Sequence, residues 1–207
     1  MGRPYQDPEI RKKEILDAAE FLFSTSGYQQ TLISDIVKKI GVAKGTFYYY
    51  FSSKEELIEA LIKRHLSNFN SEMENMVSSE SVLPNRKLEL MVSLICKAVI
   101  VKKGLLLDYL YNDHYRHLID KFFRQAKKIL VPILLYIIEE GNLKKVFKVD
   151  QPIIAVNYIL AILQCFIECI YNKTPIEIIS VSMVSMQKLF EKMLGLHEGS
   201  LHFDWKQ

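Results

Sequence analysis

Glycine and proline are scarce in this chain, 8 and 6 residues in a length of 207. Turn-formers at that density cannot punctuate the many short strands of a sandwich or barrel. No stretch alternates polar and apolar side chains in the period of two that a half-buried strand needs. The sequence therefore reads as all-α, built from long helices. Cysteine is sparse too: Cys96, Cys165 and Cys169 fall inside apolar helical stretches, an odd set that offers no disulfide framework and suits a reducing cytosol. Neither Asp113, His114 and His117 nor Cys165, Glu168 and Cys169 supplies a full ligand set, so no metal and no cofactor is expected. A glycine-rich phosphate loop, a nucleophile elbow and an HExxH helix are all missing, which argues against an enzyme. The N-terminal "MGRPYQDPEIRKKEI" lacks the apolar centre of a signal peptide. The most lipid-like stretch, Ile153 to Tyr171, is interrupted by Asn157, Gln164 and Glu168, so it reads as a buried helix of a soluble, cytoplasmic protein with no membrane partner.

What is present is a large apolar fraction, 49%, beside 25% charged residues and a formal net charge of only +3. That balance is too weak to indicate nucleic acid by itself, so the placement of charges has to decide. From Glu9 to Ser24, Ile15, Ala18, Ala19, Leu22 and Phe23 share one helical stripe, with Arg11, Lys12 and Lys13 expected outside it. Gly27 suits the end of that helix. A short helix follows from about Leu32 to Ile40 and stops at Gly41. Ser53 with Glu56 three residues later matches a capping box, so another helix should start at Lys54 and run to roughly Val77. Ser78 to Asn85 forms a polar linker. Further helices are expected at about 85–103, 105–112, 114–141, 151–172 and 176–195, with Pro132 kinking the third of these.

Between the second helix and the long fourth one lies "GVAKGTFYYYF", five consecutive aromatics from Phe47 to Phe51. A small core cannot absorb them all. Two short helices around a glycine turn make a helix-turn-helix, whose second helix enters the DNA major groove, and that use explains the surplus. Phe47 and Phe51, four apart, can face the core while Tyr48, Tyr49 and part of Tyr50 point outward with Lys44 and Thr46. A tyrosine offers a flat face to a thymine methyl and a hydroxyl to a phosphate. Gly45 lets the helix start approach the groove floor. Lys44 can donate to guanine or phosphate, and Lys54, a poor choice for the positive end of a helix dipole, makes sense beside a phosphate.

Residues 10 to 57, through "ILDAAEFLFSTSGYQQT" and "ISDIVKKIGVAKGTFYYYFSSKEEL", resemble the DNA-binding domain of tetracycline-repressor-type (TetR/AcrR) regulators. The resemblance covers about a quarter of the chain. It implies that Lys44, Gly45, Thr46, Tyr48, Tyr49 and Lys54 occupy DNA-contact positions, with Tyr50 standing where the family often has histidine. Leu32 departs from the family pattern, which commonly has Thr or Ser there. Thr31 is left as the candidate for the helix cap and phosphate contact.

Ile179, Met183, Met186, Phe190 and Met193, spaced 4, 3, 4 and 3, form a seam that reads as a dimer interface, with Ser182 and Ser185 permitting close approach. A two-fold dimer sets the recognition helices about one DNA turn apart, on a palindromic operator. Tyr109, His114, Phe122, Tyr158, Gln164, Cys165 and Phe166 place aromatic and polar groups among aliphatics and are the candidate pocket for a small, mostly apolar effector. The organisation expected is a helix-turn-helix domain at 1–53, a helical effector-binding and dimerisation domain at 54–196, and a tail at 197–207. The function expected is a homodimeric repressor of transcription, with the helix 54–77 tilting when effector binds. Two other readings stay open: a helical DNA-binding dimer without effector, and a helical protein-interaction or carrier protein.

Overall fold

The computed structural model describes residues 7–100, 116–172 and 174–203. These residues form α1 (Pro8–Ser26), α2 (Ile33–Ile40), α3 (Lys44–Tyr50), α4 (Lys54–Val77), α5 (Pro84–Ile100), α6 (Arg116–Leu143), α7 (Pro152–Tyr171) and α8 (Ile176–Leu194), with no strand among them. The helix expected at 105–112 lies outside the described residues.

Local chemistry sets the ends of these helices. The Asp7 carboxylate accepts from the Glu9 amide at 2.9 Å, and Pro8 fills the first turn, where its missing donor costs nothing. Helix α2 ends at Gly41, whose φ of 66° lies in the left-handed region; its amide reaches the Lys38 carbonyl, and that of Val42 the Val37 carbonyl. The Ser53 hydroxyl caps α4 by accepting from the Glu56 amide at 3.1 Å. The reciprocal arm differs from the expected capping box: the Glu56 carboxylate takes the Ser52 amide and hydroxyl, both at 2.7 Å. Those hydrogen bonds pull the Glu56 carboxyl below its usual range. They also fix the turn joining α3 to α4. Pro132 lies within α6, which continues through it.

Two apolar cores share one rod. The first gathers Ile15, Ala19 and Phe23 of α1, Ile36 of α2, Phe47 of α3, Phe51, and Leu57, Ile58, Leu61, Ile62 and Leu66 of α4. The second begins at Met73 in the last third of α4 and continues through α5, α6, α7 and α8. Helix α4 is also strapped by charge. Arg64 reaches Asp17 at 2.5 Å and also pairs with Glu20 of α1, while Glu59 meets Lys121 of α6 at 2.5 Å. At its far end the fully buried Lys87 ammonium donates to the Val77 carbonyl and to Glu140, both at 2.8 Å.

The seam expected to pair two chains is turned inward instead. Ile179, Met183, Met186 and Phe190 are buried within the protomer's own second core, and Met193 packs against it. A 4-3-4-3 spacing marks one buried stripe, and the stripe meets α7 rather than a second copy. The outer faces of both helices are left apolar: Ile154 and Tyr158 on α7, with Ile178, Val181 and Val184 on α8, are 42% to 66% exposed. Helix α7 reaches a mean hydropathy of 2.1 over an 18-residue window of which 28% is buried, so the expectation of an enclosed helix is corrected to a half-covered one. The tail docks. The Leu201 amide donates to Glu191 at 2.9 Å, the His202 amide to Glu89 at 3.0 Å, and the Phe203 ring meets Phe190 edge-on at 5.8 Å.

Candidate nucleic-acid interface

Helix α3 divides its aromatics by side. Phe47 is fully buried, Phe51 nearly so, and their rings lie 5.9 Å apart in the first core. Full burial of one such ring stabilises by about 1.5–3 kcal/mol, enough to hold a seven-residue helix that could not stand alone. With those two rings fixed, the 100° step of the helix sends Tyr48 and Tyr49 outward, 49% and 78% exposed. Tyr50 is half-buried and stacks edge-on to Tyr49 at 4.9 Å. Lys44 is exposed at the helix start, its ammonium 5.9 Å from the centre of the Tyr48 ring. Thr46, half-buried, closes the first turn by donating its amide to the Ala43 carbonyl at 2.9 Å. At Gly45 an added Cβ would meet nothing within 4 Å. The fold therefore has no need of a glycine there, and a surface that has to be approached closely does.

Two of the sequence's candidates are placed elsewhere. Thr31 is 2% exposed, and its hydroxyl donates to the Gly27 carbonyl at 2.8 Å and the Leu22 carbonyl at 3.3 Å. It fastens the end of α1 and neither caps α2 nor faces outward. Asp35 does the capping, accepting from the Leu32 amide at 2.9 Å. Lys54 is likewise turned in. Its ammonium donates to the Tyr28 carbonyl and lies 3.9 Å from the Tyr28 ring centre and 5.8 Å from that of Phe23. Desolvation lowers its pKa, opposed by Glu55 and Asp35. This lysine pins α4 to the end of α1 and positions α3 indirectly. Arg11, expected outside the core, is 9% exposed and paired with Glu14 at 2.6 Å.

On α2 the Lys39 ammonium covers the exposed Phe21 ring at 3.7 Å. The proposed effector group does not converge. Tyr109 and His114 fall outside the described residues; Tyr158, Gln164 and Cys165 are exposed on α7, whereas Phe166 is buried in the core and Phe122 sits half-buried on α6. Cys165 is exposed and its neighbour Phe166 buried, so these two side chains leave α7 on different sides.

A three-helix unit with an empty-sided glycine, an exposed lysine and two outward tyrosines on its third helix has the form of a helix-turn-helix DNA-binding unit. Residues 15–61 match the family model described as bacterial regulatory proteins, tetR family. The chain is 38% identical over 80 residues to the fatty acid metabolism regulator protein of Bacillus subtilis, covering 39% of this chain and 41% of that one. It is 26% identical over 158 residues to the transcriptional repressor KstR2 of Mycobacterium tuberculosis, 72% and 78% of the two chains. The fatty acid degradation regulator FadR of Bacillus halodurans shares the fold at a TM-score of 0.63 and 21% identity, over 97% and 100% of the chains. The chain spans about two fifths of the Bacillus subtilis relative. Its residues 15–61 carry the DNA-binding region of the tetR family, and the rest of the chain shares the all-helical fold of the regulator from Bacillus halodurans.

Proposed function

We propose that two copies of this chain form a cytoplasmic homodimer that binds a palindromic operator and represses transcription until a small, mostly apolar effector releases it. The observation that carries the DNA reading is the outward pair Tyr48 and Tyr49 beside Lys44 and an unobstructed Gly45. Lys44 serves a guanine edge or a phosphate, the tyrosines serve thymine methyls and phosphate oxygens, and Thr46 and Tyr50 border the contact. Thr31 and Lys54 act behind this surface, by positioning. The aliphatic outer faces of α7 and α8 support the dimer: a second copy presenting the same faces covers both, and a two-fold axis repeats α3 at the half-site spacing. An effector that prefers a conformation with misspaced α3 helices weakens operator binding by its differential affinity, about 1–3 kcal/mol. The repressor sense draws on relatives such as KstR2, whose name states that role.

Selection of bound sequences from a random duplex pool at near-physiological salt tests the proposal. Enrichment of a palindrome whose arms lie one helical turn apart is expected. A folded dimer that enriches nothing would overturn it.

A further inference from the structure

We propose that the cleft between α4 and α6 is a binding site for a small amphiphile with an anionic head. The inference rests on the effector-responsive reading above and gives the effector a place and a chemistry. The two helices run in the same direction, with the Glu59–Lys121 bridge at one end and Lys87, clamping Val77 to Glu140, at the other. Between these clasps opens a cleft of ≈ 740 Å³, within the roughly 300–1,000 Å³ typical of small-molecule sites. A smaller hollow of ≈ 240 Å³ continues from it toward the DNA-binding domain, sharing Lys63 and Gln125.

The walls are unlike. Helix α6 supplies Ile129, Pro132, Ile133 and Tyr136, an apolar strip in which Pro132 has no amide to offer. Helix α4 adds Leu66 and Val77 beneath small polar groups such as Ser67. Lys63 of α4 and Lys128 of α6 both line the cleft, toward its Glu59–Lys121 end. No carboxylate holds either ammonium among the described residues, whereas Lys121 is held by Glu59, and Lys87 and Lys144 by Glu140. Glu74, the carboxylate of the cleft, accepts from Asn70 at 2.8 Å and lies eleven residues along α4 from Lys63, about 16 Å away. Positive charge therefore collects at one end and apolar surface extends from it. Lysine stems add to that surface while their ammonium groups remain at its edge. A carboxylate or phosphate head between Lys63 and Lys128, with its chain along Ile129, Ile133 and Tyr136, satisfies both features. A neutral apolar molecule leaves the two cations unused.

The test is titration calorimetry on the full chain without DNA, using decanoate below its micellar concentration, with decanamide and acetate as controls. Decanoate is expected to bind, decanamide about tenfold more weakly, and acetate not measurably. Lys63→Gln with Lys128→Gln should bring decanoate down to the decanamide level. Ser67→Trp, which fills the cleft from an exposed position on α4, should abolish binding with the melting temperature unchanged. Equal binding of decanoate and decanamide, binding of acetate alone, an affinity unaffected by the lysine pair or by Ser67→Trp, or no heat with decanoate would each overturn the site. Because no operator is present, such a failure leaves the regulator reading standing; that reading falls only if the duplex selection fails.

Discussion

Two surfaces of this chain carry more apolar area than a solvated surface needs, and they differ in kind. On α3 the surplus is aromatic and tipped with hydroxyls, flanked by a lysine and a residue without a side chain. On α7 and α8 it is aliphatic: Ile154, Ile178, Val181 and Val184 offer nothing to hydrogen-bond, with Tyr158 at their margin. The first suits a partner that mixes flat apolar edges with anionic oxygens. The second suits only another dry surface. The partner of each face can thus be read from whether its exposed groups end in hetero-atoms, a criterion independent of how much area is exposed.

The comparison can be broken most forcefully within α8 itself. Phe190→Ala, on the inner stripe, should cost about 3–5 kcal/mol in denaturant unfolding, whereas Val181→Ala on the outer face should leave the isolated protomer within about 0.5 kcal/mol. If the two were equal, the inward seam would be wrongly placed. Val181→Glu should leave the fold intact and convert the dimer to monomer in sedimentation at micromolar protein, since two-fold symmetry places the buried charge twice. On the other surface, Tyr48→Ala or Lys44→Ala should weaken operator binding by about 1–3 kcal/mol in a mobility-shift titration without moving the melting temperature. A smaller and more discriminating effect belongs to Gly45→Ala. It should raise stability by up to about 1 kcal/mol, because the helix gains and nothing clashes, while DNA affinity falls. Smallest of all, burial would raise the Glu140 carboxyl, but the hydrogen bonds and charges of Lys144 and Lys87 prevail and lower it. The folded state then binds this proton less readily than the unfolded chain. Its contribution is present above the ordinary carboxylate range and lost as pH falls through the lowered value, so Glu140→Gln should flatten the acid side of the stability profile.

Helices α1, α2 and α4 were legible because each has an end with its own chemical mark: Gly27 closing α1, Gly41 closing α2 and Ser53 opening α4. The division of "FYYYF" followed from its spacing alone, since Phe47 and Phe51 are one turn apart and the core has room for two rings. The α8 seam was not legible in the same way. Periodicity states that Met183 and Phe190 share a covered face, and is silent on whether α7 or a second copy covers it. Lys54 and Thr31 failed for a related reason. A lysine placed at a helix start suggests an outward phosphate, but its stem is long enough to turn back to the Tyr28 carbonyl, and no local pattern records that choice. The candidate effector residues pooled composition across helices without regard to helical phase, so those described on α7 fall on both its exposed and its buried sides.

Helix α4 contributes side chains to both cores and is held by ion pairs at Glu59, Arg64 and His65 in its first half. Its 24 residues span about 36 Å. A rigid rod of that length swung by only about 5° carries its far end through about 3 Å, close to the ~3.4 Å step from one base pair to the next. In the proposed dimer, with one such arm in each half, a barely visible rotation at the proposed effector end would put the two reading heads out of phase with the double helix.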